Sequence, residues 1–91
     1  MANSASARKR IRQNEQRRLR NRARKSMLKT YTKKFLEQIR TGDLSAARET
    51  FSLLQKRLDQ VAAKGTLHRK TAARRKSRLA ARLNKAISAS A

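Results

Sequence analysis

The stretch RTGDLSAARETFSLLQKRLDQVAAKGTLH, Arg40 to His68, holds both interruptions of the chain and its clearest apolar rhythm. Within it Leu44, Ala47, Phe51, Leu54, Leu58 and Val61 recur at alternating steps of three and four, the spacing that lines one face of an α-helix. Gly42 and Gly65 flank that helix, and each is followed by a residue able to cap what comes next, Asp43 and Thr66. Glycine takes the left-handed conformation that ends a helix without steric cost, while a side-chain oxygen accepts from the first free amides of the next.

Working outward, the pattern predicts three helices at about 5–40, 44–64 and 68–87, the first starting in the Ser and Asn cluster of Asn3 to Ser6. At 1.5 Å per residue the first is about 50 Å long and the other two about 30 Å each. Short connections make neighbours antiparallel, so the expected fold is all-α, an up-down-up three-helix bundle in which the long first helix projects at its N-terminal end. Leu28, Tyr31, Phe35 and Ile39 of helix one, and Ala72, Leu79, Leu83, Ala86 and Ile87 of helix three, are the stripes expected to close a core on the middle helix. Before Ala23 helix one has only Ile11 and Leu19 as sizeable apolar residues, so residues 1–21 are expected to form a basic arm outside the bundle. Helices without packing are marginal in water and like charges one turn apart weaken them, so the arm is expected to be disordered in the free protein and helical on its partner.

A chain of 91 residues without proline or cysteine fits one small domain with a lean core and no disulfide or thiolate metal site. No apolar run nears the roughly 20 residues of a spanning helix, and MANSASARKR lacks the apolar stretch of a signal peptide, so a cytoplasmic home is expected. His68 has no companion His or carboxylate cluster, and no Ser, His, Asp set accompanies it, so neither metal binding nor catalysis is supported. No enzyme activity and no cofactor are expected.

The formal net charge is +21, and its distribution is uneven. Residues 1–36 hold thirteen basic residues against Glu15 alone, residues 60–91 hold nine against none, and residues 37–59 hold four of each sign. Such a chain repels itself when compact unless a polyanion compensates. The antiparallel turn converts the arithmetic into geometry: helix two returns the chain to about residue 20, so helix three starts beside Arg18 to Lys29, and the two basic stretches become one pole. Electroneutral helix two turns its polar face to solvent.

Stepped at 100° per residue, Arg8, Lys9, Arg10, Arg12, Arg17, Arg18, Arg20, Arg22, Arg24 and Lys25 surround the arm on all sides. A membrane-surface helix needs an apolar face, which this arm lacks. A helix basic all round is best served by phosphates on several sides, as in a cleft of folded RNA. On helix three, Lys70, Arg74, Arg78, Arg82 and Lys85 lie opposite the Leu79 and Leu83 face with Arg75 on the flank, a stripe suited to tracking phosphates. Arg69 belongs to the same acid-free segment, and His68 either touches phosphate or faces solvent near a helix start. Lys76 falls within the apolar arc, where its stem is expected to snorkel along the core edge. Tyr31, Phe35 and Phe51 all lie on apolar stripes, leaving no aromatic platform for single-stranded bases, so recognition by shape and phosphate is expected rather than sequence readout. Arginine predominates, and its guanidinium fork can bridge two phosphates.

MANSASARKRIRQNEQRRLRNRARKSMLKTYTKKF, GDLSAA after helix one and AAKGTLHRKTAARRKSRLAARLNK near the end closely resemble bacterial and plastid small-subunit ribosomal protein number twenty, over essentially the whole chain. The resemblance implies a three-helix bundle with a long first helix, buried in 16S rRNA of the 30S subunit. It implies direct rRNA binding that helps assembly, low on the subunit where the 5′ domain meets the long penultimate helix. It also implies that Arg8, Arg10, Arg17, Arg18, Arg22, Arg24, Lys25 and Lys29 face RNA in helix one. In the second region the matching residues are Lys64, His68, Lys70, Arg74, Arg75 and Arg78. Other small-subunit components are expected neighbours, and no homo-oligomer is expected. The competing reading is a DNA-compacting protein; against it, the chain shows neither apolar wedges nor paired symmetric modules.

Overall fold

The computed structural model describes residues 4–90 as three α-helices, α1 (Ala5–Thr41), α2 (Leu44–Ala63) and α3 (Arg69–Ser90). The expected helix boundaries agree to within a few residues, and the largest difference is at the C-terminal end of α3, which continues to Ser90.

Both corners use the same device. Gly42 and Gly65 each have φ +81°, which only glycine adopts freely. After α1, the Gly42 amide donates to the Ile39 carbonyl and the Asp43 amide to that of Gln38. After α2, Gly65 donates to Ala62 and Thr66 to Val61 in the same pattern. This pairing satisfies carbonyls that a helix end would otherwise leave bare. At the first corner Asp43 also caps α2, its carboxylate accepting from the Ala46 amide at 3.3 Å.

The second corner departs from the expected arrangement: Thr66 does not cap α3. His68 does, its Nδ1 accepting from the Lys70 amide at 3.1 Å while its carbonyl accepts from Ala72. The Thr66 hydroxyl is committed elsewhere. It donates to Asn21 Oδ1 at 2.7 Å and accepts from Arg24 Nη1 at 3.1 Å, both on α1. A hydroxyl offered a local amide and a fixed amide–guanidinium pair on another helix has gone to the latter, and two more residues, Leu67 and His68, pass before α3 starts.

The middle helix organises the core. Ala47, Thr50, Leu54, Leu58 and Val61 of α2 are buried, against Leu28 and Phe35 of α1 and Ala72 and Leu83 of α3. Leu44 and Phe51 of the predicted seam are half-buried, as are Tyr31, Ile39, Leu79, Ala86 and Ile87. Phe51 packs at the core edge with its ring centroid 5.6 Å from that of Phe35. Thr50 is a core position that an apolar-only pattern passes over, although it stands three residues after Ala47 and four before Leu54. Both outer helices pack chiefly against α2 and touch each other little.

At 1.5 Å per residue, α1 is about 55 Å long against about 30 Å for α2, so much of it overhangs the bundle. The molecule measures 65 × 22 × 17 Å. Residues 8–20 are all exposed, including Ile11 at 56% and Leu19 at 52%. The overhang is therefore helical without tertiary support. It is held by its own ladder, by the Ser4 hydroxyl accepting from the Ala7 amide at 3.1 Å, and by the Glu15–Arg18 pair one turn apart.

Candidate nucleic-acid interface

The contacts of Thr66 with Asn21 and Arg24 clasp the α2–α3 corner to α1 at the point where the overhang begins. Three hollows meet there. One, of about 410 Å³, is bounded by Arg17, Arg20 and Arg24 of α1 and by Lys64 and Gly65 of the corner. A second, about 560 Å³, follows α1 along Arg17, Arg18, Arg22 and Lys25. The third lies between α1 and α3, about 520 Å³, with Lys25, Lys29 and Lys33 on one rim and Arg75 and Arg78 on the other. Arg17 is shared by the first two, and Lys25 joins the second to the third. Two basic stretches distant in sequence thus form a continuous cationic surface.

The remaining expected contact residues distribute around this pole. Arg8, Lys9, Arg10 and Arg12 stand exposed on the overhang, beyond the clasp. Arg69, Lys70 and Arg74 are exposed in the first turns of α3, and Arg82 is exposed further along it. His68 is exposed, but one ring nitrogen is occupied by the cap. Arg24 is half-buried, with its guanidinium engaged by Thr66 and Asn21, so its first task is structural.

Few cations of the pole are neutralised within the chain. Among the described residues the ion pairs are Glu15–Arg18, Glu37–Arg40 and Asp59–Lys76. The hydrogen bond from Arg18, then its charge, holds the Glu15 carboxyl below the usual carboxylate range and raises Arg18 in turn. Arg40 lowers Glu37 chiefly through its hydrogen bond. All four groups are exposed, so these pairs are weak supports of single turns. Lys76 is half-buried, and its ammonium meets Asp59 of α2 at 2.7 Å, so the snorkelling stem ends in an ion pair that keeps its charge from the surface stripe.

Asn21 and Thr66 shape the cationic pole through their hydrogen bonds, and a search for cations does not find them. Their one signal in the sequence is neutrality inside cationic runs, where a small polar residue costs charge unless it has a partner. Lys33 is a cation of the groove that the expected contact residues omit, although it continues the Lys25 and Lys29 row at a spacing of four.

Fold and charge define a class: a small, strongly basic helical-bundle protein whose cations gather at one end. A family model described as Ribosomal protein S20 matches residues 2–84. Small ribosomal subunit protein bS20 of Shewanella amazonensis (strain ATCC BAA-1098 / SB2B) is 51% identical over 98% of this chain and 100% of the relative. Those of Shewanella sp. (strain W3-18-1) and Shewanella frigidimarina (strain NCIMB 400) are 49% and 48% identical over the same shares. The chain belongs to the ribosomal protein S20 family, structural proteins of the small ribosomal subunit rather than enzymes.

Proposed function

We propose that the chain binds 16S rRNA directly and, as one three-helix unit, holds RNA segments together while the small subunit assembles in the cytoplasm. One observation carries the reading: the Asn21–Thr66–Arg24 clasp sets the start of α3 against Arg17 to Lys29 of α1, so that cations from both chain ends face outward from one pole. Cations held together this closely repel, and phosphates relieve that repulsion while each contact releases a condensed counterion. The overhang, basic all round, extends the pole into a cleft between RNA helices, with Arg8, Lys9, Arg10, Arg12 and Arg20 on its several sides. Arg17, Arg18, Arg22, Lys25 and Lys29 line the bundle end. Lys64, His68, Arg69, Lys70, Arg74, Arg75, Arg78 and Arg82 carry the phosphate track along the corner and α3. The outer face of α2, with both signs of charge, looks away toward other components of the subunit or solvent.

The test is competition at fixed salt between folded 16S rRNA and duplex DNA for the purified protein, joined to cross-linking within purified small subunits. Preference for rRNA, with cross-links in 17–29 and 64–78, is the expected result. Equal affinity for duplex DNA supports the DNA-compacting reading instead, and cross-links confined to the outer face of α2 overturn the placement.

A further inference from the structure

The groove between α1 and α3 differs from the other two hollows of the pole in its floor. Its rims carry five cations and no carboxylate, but beneath them lie Leu36 of α1, Leu58 of α2 and Leu79 of α3. Leu58 is nearly inaccessible, while Leu36 and Leu79 are half-buried, packed on the core yet open to the groove. The groove exists because both outer helices pack on α2 and barely touch each other. Its volume of about 520 Å³ falls among the roughly 300–1,000 Å³ clefts that hold small ligands.

A phosphate suits the rims and not the floor, because apolar walls give an anion nothing in exchange for its hydration. A nucleobase suits the floor, since its faces are apolar and its edges polar. In a paired A-form helix those faces are stacked away, so only an unpaired or bulged nucleotide can offer one. From this the geometry points to a seat for a single extrahelical nucleotide of the bound RNA, its base on the half-buried Leu36 and Leu79 above Leu58 and its flanking phosphates on Lys29, Lys33, Arg75 and Arg78. The inference rests on the RNA-binding reading above and deepens it: one position of the interface takes a base, where the rest takes backbone. Continuity supports it, because Lys25 belongs both to this groove and to the hollow along Arg17 to Arg22, so RNA held at one reaches the other. Thr32 stands in the groove wall with its hydroxyl donated to the Leu28 carbonyl at 2.8 Å, leaving the oxygen's acceptor capacity for the amino edge of a base.

Thr32→Phe fills the groove and removes no cation. Full-length protein and this variant are compared for binding to folded 16S rRNA across a salt series, with dimethyl sulfate and carbodiimide probing of the bound RNA, which together read all four bases, and circular dichroism of both proteins. The expected result is about tenfold weaker binding at an unchanged salt slope, roughly what losing the burial of one apolar group of side-chain size costs. At least one unpaired base is protected by the wild-type protein and exposed again with the variant. Unchanged affinity and footprint overturn the seat while leaving RNA binding intact. A shallower slope alongside the weaker binding overturns it too, showing that the groove held phosphate only. Normal rRNA binding with failed incorporation beside other small-subunit proteins assigns the groove to a protein segment and likewise overturns it. If Thr32→Phe misfolds, the wild-type footprint decides alone, since a complex that protects no unpaired base has no such seat. A wild-type protein that does not prefer rRNA to duplex DNA brings down the underlying reading as well.

Discussion

Arg24 of α1 donates to the hydroxyl of Thr66, 42 positions further along the chain, at 3.1 Å, and both meet the Asn21 side chain. This partly buried contact joins the two basic stretches at the root of the overhang. It couples the stability of the fold to the shape of the cationic pole.

Thr66→Val keeps the shape and removes the hydroxyl, leaving Asn21 and Arg24 without their shared partner. The expected cost is about 1 kcal/mol, or a fall in Tm of about 4–8 °C for a domain of this size. Thermal melts of the single variants and of Asn21→Ala with Thr66→Val measure it. Fully additive losses would mean that the three groups do not act as a unit.

His68 caps α3 through Nδ1, so His68→Ala is expected to cost about 0.5–2 kcal/mol, while His68→Asn keeps an acceptor at the same place and costs little. Urea unfolding of both variants checks this. Equal losses would show that the imidazole matters for another reason.

Arg74→Ala with Arg78→Ala is expected to weaken rRNA binding and to reduce its salt slope by roughly 1 for each phosphate that no longer meets a guanidinium, leaving the fold intact. Arg48→Ala with Lys56→Ala, two exposed positions on α2, should change neither. Titrations at several salt concentrations separate the pairs, and equal weakening by both would move the interface.

The overhang has no packing to sustain it, so the free protein is expected to show less helix by circular dichroism at moderate salt than α1–α3 contain, and to gain the difference on rRNA. Full helicity without RNA would contradict this.

The arm should also lose helix in acid. Glu15 is depressed by Arg18, so its contribution is complete above the ordinary glutamate range and is lost as the pH falls through its lowered value. A helicity titration of a peptide spanning 4–25, brought to partial helicity with trifluoroethanol, should show a small acid loss that Glu15→Gln abolishes. A loss persisting in Glu15→Gln assigns it elsewhere.

Much of the architecture is legible from spacing because helices answer to local rules. The Ala47 to Val61 seam, the two glycines and the bare arm each express themselves within a turn or two of their own residues. The pole is legible for a similar reason: with helix lengths and short corners given, Lys25 and Lys29 have to come near Arg75 and Arg78. Less legible is any side chain with a choice. Thr66 follows a helix-ending glycine and could have capped α3, and nothing within a few residues says that it turns to Asn21 and Arg24 instead.

By itself, then, the chain's order of residues determined three helices, their antiparallel course and the segregation of charge, since hydrophobic period, glycine conformation and charge are properties of neighbours in sequence. Tertiary structure alone decided which polar groups satisfy one another across helices, which lysine is neutralised by Asp59, and that α1 and α3 stand apart over Leu58 to leave a groove. Those outcomes depend on how three helices settle against each other to within an ångström or so, a quantity set by packing of the whole core and encoded in no single stretch.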